Sequence, residues 1–241
     1  MKNEKIKFKS KLKLLKVILF KDLKSELRQI NDLFSIFLFD IISIFIFSSV
    51  YNFGTQYQNM PMEIFVIENW LIIFFTLVYI MTKLFVKEKD SGTLGGLISS
   101  PVSANLILIS KTFFCFILLS FVEIILFLFS FFISAPSISN FNTNQLLIYI
   151  SLGILLPTFD LSICGSFVSA FSMYVKNKSF ILPILFFPLI LPIITPIISI
   201  NIKILEGELI SNLYYEVLFF GAHIILMSSI IALTSGALLY D

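Results

Sequence analysis

TFFCFILLSFVEIILFLFSFFI, residues 112–133, runs unbroken from Thr112 to Ile133 with Glu123 as its one charge. A helix needs roughly 20 apolar residues to cross the hydrocarbon core of a bilayer, and this stretch has that length. Five further windows share the pattern: Leu33 to Phe53 around Asp40; Ile64 to Val86 with Glu68 and Lys83 near its ends; Leu146 to Tyr174 with Pro157 and Asp160; Ser179 to Ile200; and Glu216 to Leu239 with His223. In lipid the backbone must satisfy its own hydrogen bonds, so these windows predict helices. The short alternating strands of a closed barrel are missing from the sequence. The predicted fold is therefore an all-α integral membrane protein with six transmembrane helices, occupying residues 33–241.

Composition agrees. Of 241 residues, 58% are apolar and 13% charged, 29 are Phe, and mean hydropathy is +0.98. Soluble domains carry about 25% charged residues, so a water-soluble protein is excluded. Local enzyme signatures are missing too. The nine glycines never form a phosphate-binding loop, and the single histidine, His223, allows neither a histidine metal cluster nor a Ser-His-Asp arrangement. Cys115 and Cys164 lie in apolar runs without metal or redox spacing and read as small core hydrophobes. No metal site, covalently bound cofactor or nucleic-acid partner is expected. Any ATP-driven work has to draw on a partner chain.

Lysine and arginine orient the spans. Ten precede Leu33, four lie from Lys83 to Lys111, and Lys176 and Lys178 sit between spans four and five; the alternate loops hold only Lys203. That bias predicts both termini on the cytoplasmic side of a cell (inner) membrane. Residues 1–32 are read as a cytoplasmic element in two parts. Residues 1–13 alternate lysine with apolar residues and read as a disordered basic tail on anionic lipid. From Leu14 the period becomes helical, with Leu15, Ile18, Leu19, Leu23, Leu27 and Ile30 forming an apolar stripe. Lys16, Lys21, Lys24, Glu26 and Arg28 fall mostly on the rest of the surface, as in an amphipathic helix lying in the membrane interface.

The most informative polar stretch is the loop at 87–111. Lys87-Glu88-Lys89-Asp90 is followed by Ser91-Gly92-Thr93-Leu94, then Leu97, Pro101 and Lys111. Asp90 or Ser91 can cap a short helix that Pro101 ends, and Pro101-Val102-Ser103 can open a second, giving a knuckle of two short helices. As residues alone this is either a capped surface loop or a docking element for another subunit. The pattern Glu88, Gly92-Thr93-Leu94, Leu97, Pro101-Val102, Lys111 resembles the coupling loop of ABC-2-type exporter membrane subunits. Three blocks narrow the resemblance to the CcmB family, the membrane subunit of the cytochrome c maturation heme exporter. They are Lys21-Asp22-Leu23 with Glu26-Leu27-Arg28 ahead of a Phe-rich span; this loop; and Ser151-Leu152-Gly153 through Pro157-Thr158 and Gly165, followed by Leu182-Pro183, Phe187-Pro188 and Leu191-Pro192. Trp70 sits where the family tends to place a tryptophan. The chain departs from the family pattern at Gly95, where an acid is usual, and at Asn69, where glycine is expected.

That resemblance implies a permease-type, non-enzymatic subunit with ABC-2-type architecture, present as a homodimer. It implies two cytoplasmic ABC ATPase subunits that hold the ATP, a heme-handling membrane partner, and heme as the substrate handled. Two other readings stand beside it: an ABC-2-type permease for lipid, glycan or drug, and a membrane scaffold without a transport role.

A charge inside a span costs roughly 2.5–3.5 kcal/mol on insertion scales and needs a partner or a wet face. Glu123 and Asp160, near the middles of their spans, are candidates either for a polar path or partner contact, or for neutral carboxyls bonded to neighbouring helices. Asp40 and Glu68 are expected close enough to an interface to reach water or headgroups. His223 is expected as a packing residue near the outer surface. Pro183, Pro188 and Pro192, with Pro196, mark span five as a hinge, a broken helix or a statically kinked span.

Overall fold

The computed structural model describes residues 2–55, 60–100, 102–134, 136 and 143–240. Among them the regular elements are helices, with one isolated bridge between Met60 and Pro136. Six helical stretches are long and apolar enough to cross a membrane: Ile30–Gly54, Met62–Asp90, Ala104–Ser134, Thr143–Ser172, Phe180–Leu205 and Ile210–Leu239. The six predicted windows fall inside or nearly inside these, each observed helix reaching further at one or both ends. Helices extend into the interfacial layer because a backbone already paired within itself loses nothing by continuing.

α1 (Lys2–Leu27) begins earlier than predicted. Residues 2–13 belong to it instead of forming a disordered tail. Lysine is a good helix former, and elongation from a formed nucleus costs little. Its inward face also differs from the predicted stripe. Ile18, Asp22 and Glu26, spaced by four, are buried, whereas Leu27 and Ile30 are exposed. The physical reason is that apolar side chains of an interfacial helix find a partner in lipid, while a carboxylate needs protein donors. After a two-residue joint at Arg28 and Gln29, α2 (Ile30–Thr55) forms span one.

Span two is α3 (Met62–Met81), a π-helical stretch Thr82–Val86, and α4 (Lys87–Asp90). A tight turn leads to α5 (Leu94–Ile98), and α6 (Ala104–Ser134) forms span three. The knuckle thus contains one short free helix, α5. The second predicted short helix is the first turn of α6, with the Ser103 carbonyl accepting its opening hydrogen bonds from Leu106 and Ile107. Span four is α7 (Thr143–Ile148), a π-helical stretch Tyr149–Leu155, and α8 (Leu156–Ser172). α9 (Lys178–Leu205) and α10 (Tyr214–Tyr240) complete the bundle, joined by a 3₁₀ turn at Ile210–Leu213.

α6 is central and packs against α1, α2, α3, α8 and α10. α8 packs against α6, α9, α10 and the π-helical end of span two. In the most apolar window of span two 61% of residues are buried, against 17% in that of span six, so α3 is enclosed and α10 peripheral.

The distortion in span four has a readable cause. Pro157 lacks the N–H that would bond the Gly153 carbonyl four residues back. Asn201 of α9, fully buried, supplies the donor through Nδ2 at 3.1 Å. Gly153 must be glycine for this, because a Cβ there would lie 3.0 Å from Asn201 Oδ1. This gives a physical reason for the Gly153 and Pro157 positions of the sequence block. Span five, by contrast, is not broken: α9 runs through Pro183, Pro188, Pro192 and Pro196 as one helix, with Pro188 and Pro192 exposed.

Asn201→Leu is expected to destabilise the bundle by about 1–3 kcal/mol, the cost of orphaning a buried carbonyl. In a Pro157→Ala background, where the residue-157 N–H returns, the cost is expected to shrink. A double-mutant cycle of thermal unfolding in detergent checks this.

Candidate coupling site

The knuckle starts where α4 ends, and its turn is a Schellman motif. The Thr93 N–H donates to the Glu88 carbonyl at 3.0 Å and the Gly92 N–H to the Lys89 carbonyl at 3.2 Å. Gly92 sits at φ +73°, a region a Cβ disfavours. The Thr93 hydroxyl lies 3.3 Å from the same Glu88 carbonyl and 3.0 Å from Ser91 Oγ. Thr93, rather than Asp90 or Ser91, occupies the N-cap position of α5, and no side chain caps that helix. The Gly92-Thr93 pair therefore stops one helix and aims the next. Leu94 is buried against the bundle, Leu97 is half-buried, and Gly95 and Gly96 are exposed with nothing within 4 Å of where a Cβ would stand. Pro101 lies outside the described residues.

Glu88 points inward, not out toward a partner. It accepts hydrogen bonds from Lys21 Nζ at 2.8 Å and pairs with Lys111 Nζ at 2.9 Å. Lys111, whose side chain is 2% exposed, also pairs with Asp22 at 2.9 Å and stands over the Phe85 ring. One turn further along α1, Glu26 pairs with the buried Lys83, which also reaches Asp32 at 3.3 Å. Lys87 bonds Gln29, and Lys178 at the start of α9 pairs with Asp90. Lys89 sits 4.5 Å over the Tyr174 ring beyond α8. The exposed tip of the knuckle is thus fastened at its base to α1, α6 and the α8–α9 connection.

These groups hold each other's charge. Burial by itself would lower the Lys21 ammonium; its hydrogen bond to Glu88 and the charges of Asp22 and Glu88 outweigh that and raise it above 10.5. Beside the pairs, between α1 and the knuckle, lies a cleft of about 670 Å³. Leu14, Ile18, Leu97 and Phe114 form part of its apolar wall, and Lys21, Lys83, Glu88 and Lys111 part of its charged floor. The sequence motifs contain Glu88, Lys111, Asp22 and Glu26, and Lys83 closes span two, but nothing in them pairs these residues into one joint. Their signal was two acids one turn apart in a basic segment, and two lysines set among apolar residues.

The intramembrane candidates lie elsewhere. Glu123 of α6 is buried and accepts a hydrogen bond from Thr158 of α8, near Tyr149, Trp70 and Asn69. Asp160 accepts from His223 Nδ1 at 2.8 and 2.9 Å. His223 is therefore level with Asp160, near the middle of span four, and bonds a buried carboxylate as well as packing. Cys164, one turn along α8, brings its sulfur within 4.8 Å of the donor atoms of both. Oxygen, sulfur and nitrogen donors of metal-ligand type thus converge there, with the carboxylate and imidazole bonded to each other. Asp40 is 1% exposed and accepts from Thr76 at 2.8 Å, and Glu68 is 2% exposed beside the Ser134 hydroxyl. Neither reaches the interface as expected, since both face the bundle interior.

Helices throughout the regular structure of the described residues, six of them long and apolar enough to span a bilayer, define a multi-pass membrane protein. The chain belongs to the CcmB family: the sequence model of the CcmB protein matches residues 13–202. That match takes in α1 from Lys13 onward, the knuckle, the first four spans and span five as far as Ile202, and so covers all three blocks on which the resemblance was drawn. A search of curated proteins returned no match.

Lys111→Met is expected to cost about 3 kcal/mol, the low end for breaking a buried pair, because the half-exposed Lys21 still meets Asp22 and Glu88. Lys87→Met, at a half-exposed pair, is expected to cost no more than about 1 kcal/mol. Thermal unfolding of the two purified variants checks the difference.

Proposed function

We propose that this chain is the membrane subunit of the heme exporter of cytochrome c maturation, driven by a separate ABC ATPase that docks on the knuckle at 87–111. The carrying observation is the joint beneath that knuckle. Lys111 with Asp22 and Glu88 links the knuckle to α1 and α6 through buried pairs, the half-exposed Lys21 adds a second link to α1, and Lys178–Asp90 links it to α9. A load on the exposed tip is therefore carried into three parts of the bundle instead of being lost in a loose loop.

In this reading Gly95, Gly96 and Ser99 of the exposed α5 surface meet the ATPase. Glu88, Gly92, Thr93, Leu94 and Leu97 shape the knuckle from within rather than touching the partner directly. Closure of two ATPases on ATP presses the knuckles of a homodimer and tilts the helices fastened to them. The tilt alters heme delivery on the opposite side, where a heme-handling membrane partner receives it. The knuckle and both termini face the cytoplasm, and the membrane is the inner one. Glu123 with Thr158, and Asp160 with His223, supply polar points between α6, α8 and α10 where such a tilt can be taken up. Pro183, Pro188 and Pro192 supply bending in α9.

Gly95→Arg/Gly96→Arg is the test, because open space surrounds both positions. The variant is expected to melt like the parent, to lose co-purification with the ATPase from native membranes, and to lower cytochrome c yield. Undiminished co-purification would overturn the docking assignment.

A further inference from the structure

Span two changes register just before the knuckle. α3 is regular to Met81, Thr82–Val86 is π-helical, and α4 resumes at Lys87. In an uninterrupted α-helix the Phe85 N–H would bond the Met81 carbonyl four residues back. Here the hydroxyl of Ser169, from α8 and fully buried, stands between them. It donates to the Met81 carbonyl at 2.7 Å and accepts from the Phe85 N–H at 3.2 Å. One foreign hydroxyl replaces one backbone bond, which is a recognised origin of such helix distortions.

Ser169 can reach the α3 backbone because of Gly165, one turn earlier on α8. A Cβ at Gly165 would meet Leu77 Cδ1 at 3.2 Å and Met81 Cε at 3.4 Å. Small residues four apart let two membrane helices approach closely. Each α-helical residue turns the chain by about 100°, so closing the Met81–Phe85 bond directly would rotate everything beyond it. Beyond it lie Lys87 with Gln29, Glu88 with Lys111 and Lys21, and Lys89 over Tyr174.

We propose that Ser169 is the positioning residue that sets the rotational register of the knuckle, and that Gly165 holds it in reach. Movement of α8 relative to α3 withdraws the hydroxyl, lets the α-helical bond close, and turns the knuckle; a push on the knuckle runs the same path in reverse. α8 also carries Thr158 and Asp160, so the element that senses the knuckle bears two of the buried polar contacts. The coupling role rests on the proposed function, whereas the register itself does not.

The test uses the full chain in native membranes with its ATPase. Cysteines at Lys89 and Tyr174 are bridged by a short bifunctional thiol reagent, with Cys115 and Cys164 buried out of its reach. Ser169→Ala is expected to shift the register equilibrium about tenfold against the bridging geometry, the effect of losing one hydrogen bond of ordinary net strength, and so to lower bridging. Ser169→Thr, which keeps a hydroxyl, is expected to retain bridging. Gly165→Val, which keeps Ser169 but holds it away, is expected to lose bridging as the alanine variant does. In the co-purified complex, Ser169→Ala is expected to keep the ATPase bound while cytochrome c yield falls. Unchanged bridging in Ser169→Ala, or equal loss in the alanine and threonine variants, would overturn the assignment. If the parent chain never binds the ATPase, the proposed function fails while the bridging result still decides the register.

Discussion

The Lys111 ammonium, enclosed between Asp22 and Glu88, is the constraint on which the lysine-rich end of the molecule depends. A cation with 2% of its side chain exposed is tolerable only if anions meet it. One of those anions comes from α1 and the other from α4. The helix that enters the interface, the helix that ends span two and the helix that opens span three are thereby held to one geometry. Glu26 and Lys83 repeat the arrangement a turn away. Apolar packing within lipid gives little preference for one rotation of a helix over another, because lipid tails are as apolar as the side chains they replace. The ionic joint supplies that preference, and it is why a small knuckle can have a defined direction.

Inside the hydrocarbon layer, orientation comes from hydrogen bonds that cross between helices. Asn201 completes the carbonyl that Pro157 frees, Ser169 enters the backbone of span two, Thr158 meets Glu123, and Thr76 meets Asp40. In two of these four the polar group is backbone, exposed by a helix irregularity. Irregular backbone at membrane depth is tolerated where protein surrounds it, and both irregularities lie on α3 and the α7–α8 helix, the more enclosed parts of the bundle. Residues that look like sequence defects, a proline and a glycine in span four and a run of serines in α8, are the points where helices are pinned to each other.

Much of this was legible in the sequence and some was not. Span number and approximate limits follow from length and hydropathy, since the bilayer reads both. The place of the knuckle followed from its motif, but its turn did not: Asp90 or Ser91 was expected to cap the short helix, and the N-cap position falls at Thr93. The inward face of α1 did not follow either, because amphipathic periodicity assumes that apolar side chains seek the protein, and at an interface lipid competes for them. Glu88 was placed in the right loop but expected to act outwardly; only Lys111, 23 residues later, shows why it turns in. Asp160 with His223 and Ser169 with span two were illegible for a single reason. Their partners lie 63 and 88 residues away, and no local pattern encodes that distance.

The separation of Asp160 from His223 bears on how the protein is made. Spans enter the membrane in chain order, so Asp160 arrives well before the last helix is synthesised. Until α10 follows, its carboxylate has no imidazole, and the four-span intermediate carries an uncompensated polar group at depth. α10, the least enclosed of the six, is therefore the helix that satisfies the buried carboxylate of α8. A chain truncated before α10 would keep that carboxylate permanently without its imidazole.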